Sequence, residues 1–197
     1  MSQPPPTAPG GDPSASQRQR MLAGEAYRAD DPEIVADALR ARRLQDAFNQ
    51  TAADDGEERR RILGELFGAI GAGTEVRPPF YCDYGWQIRI GERTFVNFGL
   101  VALDVAAITI GDDVQIGPNV QLLTPTHPLD AASRRAKWEA ARPITVCSNV
   151  WLGGGAIVLP GVSIGENTVV GAGAVVTRDL PEGVLAVGNP ARIVREL

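Results

Sequence analysis

From about residue 75 the chain keeps a six-residue beat. Read from Val146 it runs VCSNVW, LGGGAI, VLPGVS, IGENTV, VGAGAV and VTRDLP, and each block opens on an aliphatic residue: Val146, Leu152, Val158, Ile164, Val170, Val176. The fifth place holds Val150, Ala156, Val162, Thr168, Ala174 and Leu180, mostly small or β-branched. The same block opens upstream at Ile110 (IGDDVQ), Ile116 (IGPNVQ) and Leu122. It recurs more loosely at Ile90 and Val96, with two extra residues before Ile110. A period of six belongs neither to an α-helix nor to a hairpin; it specifies a parallel β-helix. Each block makes one short face, and its first residue points inward beneath its copy one coil away. Coils then sit at the ordinary strand spacing of about 4.8 Å, with Gly, Asn and Asp supplying the corners.

Before this region the pattern is helical. Asp30-Asp31-Pro32-Glu33 is a start signal, with an Asp cap, Pro in the first turn and an acid near the positive end of the dipole. Ile34, Ala38, Ala41, Leu44 and Phe48 follow at helical spacing, and a second helix is expected around Glu57–Ile70, with Ile62, Leu63, Leu66 and Phe67 on one side. Residues 1–17 are rich in Pro, Gly and Ser and read as a disordered tail. The division expected is therefore tail 1–17, helical segment 18–72 and β-helix 73–197. The repeat is broken by an excursion over 123–143, a polar stretch bounded by prolines. Long departures from a regular scaffold are usually functional or disordered.

Composition narrows the function. With Lys+Arg 19 against Asp+Glu 24 the net charge is −5, which argues against nucleic acid as a partner. No apolar run approaches the ~18 residues of a membrane span and no signal core opens the chain, so a cytoplasmic, soluble protein is expected. Cys82 and Cys147 are spaced for neither a CxxC motif nor a zinc site, and no metal is expected. The single histidine, His127, lies inside the excursion between Pro125 and Pro128. An imidazole titrating near neutrality can take a proton from a hydroxyl and pass it on.

The strings THPLD, PIT and NVWLGGGAIVLPGVSIGENTVVGAGAVVTRDLPEGVLAVGNPARIV resemble the maltose and galactoside O-acetyltransferases, a family that includes nodulation acetyltransferases. FYCDYGWQIRIG, FVNFGLVALD and MLAGEAYRADDPE extend the likeness over about residues 21–197. The resemblance implies a left-handed parallel β-helix with an N-terminal helical segment and a protruding loop. It also implies a homotrimer with active sites between subunits, and direct transfer of acetyl from acetyl-CoA to a hydroxyl of a small sugar, nearest the maltose type. His127 matches the family's catalytic base. Asn97 matches an Asn at the reacting centre, where an amide orients the acceptor or stabilises the oxyanion. Glu139 matches an acid that holds the base in position. Asp83, Asp104 and Asp30 fall at or near acceptor contacts, Asp30 one residue out of register. Trp151, Gly154, Ala172, Thr177, Arg178, Arg192 and Arg195 match coenzyme positions, with the arginines suited to phosphate.

Other classes separate on the same residues. A γ-class carbonic anhydrase site needs several imidazoles on one metal, which one histidine per chain cannot supply. A non-catalytic β-helix scaffold shares the fold but has no use for His127, Asn97 and the arginines together. Acetylation of a different hydroxyl or amino acceptor, such as an antibiotic, a nodulation factor or a glycan, shares both fold and histidine.

Overall fold

The computed structural model describes residues 14–197. Helices α1 (Gln17–Leu22), α2 (Pro32–Asn49) and α3 (Gly56–Leu66) precede a three-sided parallel β-helix. Its first coil is β1 (Ala69–Ile70), β2 (Glu75–Val76) and β3 (Phe80–Cys82); its second is β4 (Ile88–Ile90), β5 (Phe95–Val96) and β6 (Leu100–Leu103). β7 (Ile108–Ile110), β8 (Gln115–Ile116) and β9 (Gln121–Leu123) make the third. The excursion then carries β10 (Pro125–Thr126), α4 (Ala131–Arg135) and β11 (Ala140–Ala141). The coils resume with β12 (Ile144–Val146), β13 (Trp151–Leu152) and β14 (Ile157–Val158), then β15 (Ser163–Ile164), β16 (Val169–Val170) and β17 (Val175–Val176). β18 (Val184–Val187) opens a sixth coil, and β19 (Arg192–Glu196) folds back antiparallel on it.

The block-opening aliphatics form the columns that the period demands. Ile90, Ile110, Val146 and Ile164 pair in succession on one side. Cys82, Ala102, Leu122, Val158 and Val176 do so on another. One corner is a ladder of left-handed residues, Arg93, Asp113, Asn149 and Asn167, with φ between 53° and 61°. Asn and Asp tolerate that region; Arg93 is held there by a two-pronged bond to Asp113 at 2.8 and 2.9 Å. The Gly after many opening aliphatics has a different task from turning. A Cβ on Gly111 would lie 2.6 Å from the Ser148 backbone nitrogen, so bare backbone is what lets the next coil close down.

The helices cover an end that would otherwise expose unpaired strand edge. Gln45 of α2 accepts from the Cys82 N–H (2.8 Å) and donates to its carbonyl (3.1 Å). Asn49 does the same for Phe80 at 2.8 and 3.0 Å. Two side-chain amides thus stand in for a missing strand beneath β3.

Three expected boundaries move. Residues 1–13 of the expected tail lie outside the described residues, but Gln17 already belongs to α1, because Ser16 and Gln19 form a reciprocal capping box. α3 ends at Leu66, short of the expected Ile70. Gly68 and Gly71 donate instead to Ile88 and Ile90, drawing this stretch into the first coil ahead of residue 73. The excursion is also more ordered than its sequence suggests: β10 and β11 pair antiparallel, Pro125 with Ala141 and Thr126 with Ala140.

Candidate active site

The excursion leaves the β-helix at the corner between β9 and β12, and His127 follows β10 directly. Asp130 caps α4 by accepting from Ser133 N (2.7 Å), and Arg134 ties the Pro128 and Leu129 carbonyls at 2.9 and 3.0 Å. These bonds fix the turn on which the imidazole stands. Beneath it lies a cleft of about 490 Å³ whose lining includes His127, Glu139, Asp83, Tyr27, Tyr84 and Arg42. A larger hollow of about 610 Å³ lies at the helical end, between α3 and the first corner. It holds no histidine and none of the expected site residues, so the smaller cleft is where chemistry is available.

Two carboxylates, Asp83 and Glu139, line this cleft, a third, Asp104, is buried behind it, and their settings differ. Asp83 is pushed up to about 6, first by burial and then by the charge of Glu139, with Arg42 opposing. Glu139 is fixed by Tyr27, whose hydroxyl donates to its Oε2 at 3.2 Å. Asp104 is 0% exposed, and its carboxylate accepts from the backbone N–H groups of Tyr84 (2.8 Å), Asp83 (3.1 Å) and Gln87 (3.2 Å). Burial outweighs those donors and raises it to about 7.

Asp83, His127 and Glu139 therefore meet in one cleft. Asp104 does not reach it: it is the internal support of the turn that presents Asp83, which corrects its expected acceptor contact. Asp30 is exposed and 3.8 Å from Arg28; Ala29, one residue earlier, lines the cleft in its place. Glu139 bonds Tyr27, and no hydrogen bond joins it to His127 among the described residues. Cys82 lines the cleft, but burial and the neighbouring Asp104 and Asp83 charges drive its thiol far upward, away from nucleophilic use.

The remaining expected residues lie elsewhere on the prism. Asn97, Gly154 and Ala172 share the next corner, where Asn119, Gly155 and Gly173 donate in turn to Phe98, Pro118 and Gly154. A Cβ on Gly155 or Gly173 would meet nothing within 4 Å, so this corner is an open backbone shelf suited to a slender chain. Trp151, 55% exposed, stands on the adjoining face. Arg178 and Arg192 border a hollow of about 270 Å³ together with Asp179; Arg195, on β19, pairs with Leu185 of β18, and Thr177 is exposed beside Arg178. These donors and this shelf fit a phosphate-bearing, thin-armed cosubstrate.

Tyr27, Tyr84 and Arg42 were not singled out in the sequence. Tyr27 sits in an irregular link between α1 and α2, where no period marks it. The one available signal was an aromatic residue isolated among GEAYRAD, just ahead of the helix start.

A coiled prism of hexapeptide blocks, a helical cap and one histidine-bearing excursion define a hexapeptide-repeat acyltransferase. The maltose acetyltransferase hexapeptide capping motif matches residues 20–71, and the bacterial transferase hexapeptide (six repeats) matches residues 143–178. Nodulation protein L of Rhizobium meliloti (strain 1021) is 50% identical over 178 residues, 90% of this chain and 97% of that protein. A maltose O-acetyltransferase from Clostridium difficile 630 superposes with a TM-score of 0.92 at 42% identity, covering 93% of this chain and 98% of that one. A hexapeptide-repeat acetyltransferase of Vibrio cholerae O1 biovar eltor, complexed with acetyl-coenzyme A, gives 0.87 at 43% identity over 93% and 99%. The chain belongs to the maltose acetyltransferase family of hexapeptide-repeat acetyltransferases.

Proposed function

We propose that this protein transfers acetyl from acetyl-coenzyme A to a hydroxyl of a small sugar-like acceptor, with His127 as general base. The observation that carries the reading is the cleft itself, where the chain's single histidine, on a pre-formed turn, shares the lining with Asp83 and Glu139. The family membership and the acetyl-coenzyme A bound to the Vibrio relative support the donor.

In the reaction, an imidazole nitrogen of His127 takes the acceptor's hydroxyl proton as that oxygen attacks the thioester carbonyl. The tetrahedral oxyanion accepts a hydrogen bond from an Asn97 amide. The C–S bond then breaks, the proton passes from the imidazolium to the departing thiolate, and an acetyl ester and free coenzyme A remain. Asp83 accepts hydrogen bonds from sugar hydroxyls. The open shelf at Gly154 and Ala172 holds the pantetheine arm, Trp151 and Thr177 flank it, and Arg178, Arg192 and Arg195 meet phosphates.

His127 and Asn97 stand on different corners of one prism, so a complete site needs a neighbouring subunit. The outer faces differ in a way that suits a homotrimer. One carries Arg89, Thr109, Thr145 and Ser163, whereas another carries Tyr81, Val101, Gln121, Ile157 and Val175. The second, with its aliphatic and aromatic side chains, gains more than the first by being covered.

Complementation tests the shared site. His127→Ala and Asn97→Ala subunits, each inactive alone, regain sugar-dependent thiol release when co-assembled, because some interfaces then pair an intact His127 with an intact Asn97. Confirmed mixed trimers that stay inactive would overturn the shared site.

A further inference from the structure

Glu139 is held by a single residue 112 positions earlier, through both backbone and side chain. Tyr27 N–H donates to the Glu139 carbonyl at 2.9 Å, and Glu139 N–H returns the bond to the Tyr27 carbonyl at 2.9 Å. The Tyr27 hydroxyl adds its 3.2 Å bond to Oε2. The ring behind that hydroxyl is 1% exposed and packs in a cluster with Met21, Ile34, Tyr84 and Val105. Burial, reinforced by the Glu139 charge, drives the phenol far upward, so it stays a donor. One carboxylate oxygen is thereby occupied, and the other has no partner among the described residues in a cleft it shares with His127.

We infer that Tyr27 is a positioning residue: it anchors Glu139 so that the free carboxylate oxygen is presented to His127. This rests on the reading of His127 as base and of Glu139 as its partner. It gives the link between α1 and α2 a part in the reaction as well as in capping the coils. A hydrogen bond can orient a carboxylate, whereas an unanchored one samples rotamers in which neither oxygen faces the imidazole. Tyr27 touches neither reactant in this scheme. Its effect therefore falls on kcat and leaves the KM for acetyl-coenzyme A, whose expected contacts lie on other parts of the prism, unmoved.

A double-mutant cycle on the full chain tests this, with maltose as acceptor and thiol release as readout. Tyr27→Phe keeps the ring and removes only the hydroxyl; it is expected to lower kcat about tenfold, the weight of one hydrogen bond to a charged group. Glu139→Gln is expected to lower kcat at least as far. In the Glu139→Gln background the Tyr27→Phe change should then cost less than about twofold, since the group it positions is gone. Equal losses in both backgrounds would overturn the inference, as would a folded Tyr27→Phe enzyme with undiminished kcat. Should Tyr27→Phe alone fold poorly, Tyr27→Phe/Glu139→Met replaces both partners by apolar groups, a change that can be nearly neutral for stability. Its kcat should match that of Glu139→Met alone, and a further loss of about tenfold in the double variant would again overturn the inference. Failure of the underlying reading shows differently: Glu139→Gln at wild-type kcat removes the partner role, and an active His127→Ala removes the base.

Discussion

Two cores lie side by side in this molecule and are built on opposite rules. Inside the coils, columns such as Leu122, Val158 and Val176 are wholly inaccessible aliphatics stacked on their own copies. Beside them, the small cluster around Tyr27 and Tyr84 borders Asp83, Asp104 and Glu139, so that burial there falls partly on carboxylates. The first core gains from every added apolar contact. The second carries an unfavourable desolvation that raises Asp83 and Asp104, a penalty the aliphatic columns do not have. Stability comes from the repeat, and the cleft lined by titratable groups lies where the repeat is broken.

Substitutions in the two cores should therefore differ in sign. Leu122→Ala removes a side chain that is 0% exposed, between Ala102 and Val158. It should cost about 3 kcal/mol, as buried Leu truncations do, read from the denaturant midpoint; a cost under about 1 kcal/mol would mean that the column can collapse. Asp83→Asn should do the reverse at neutral pH. The folded carboxyl is raised from 3.8 to about 6. The penalty is then fully present above about pH 6 and disappears as pH falls through the unfolded value near 4. The variant should gain about 2 kcal/mol at pH 7.5 and nothing near pH 3.5. An equal gain at both pH values would point to a cause other than the charge.

The same contrast explains what was legible in the sequence. The coils could be read because position and environment repeat: Val146 opens a block and lies beneath Ile164 eighteen residues later. The α2 start was legible from Asp31 and Pro32, which act locally. His127 stood out because the period stops around it. Asp104 was misread because its partners, the N–H groups of Asp83, Tyr84 and Gln87, lie 17 to 21 residues away and follow no period. Tyr27 was missed for the same reason at greater range, since its partner Glu139 is 112 residues distant. Gln45 and Asn49 carry no mark in the sequence, because the strand edge they bond at Cys82 and Phe80 lies more than thirty residues away.

Whether His127 moves the proton in acetyl transfer is read from thiol release from acetyl-coenzyme A across a panel of sugars, in wild type and His127→Ala. The wild type should show sugar-dependent release, and His127→Ala should fall by at least about a thousandfold with coenzyme binding intact, the scale reached by positioned acid–base groups. Sugar-dependent release that survives in His127→Ala would contradict it.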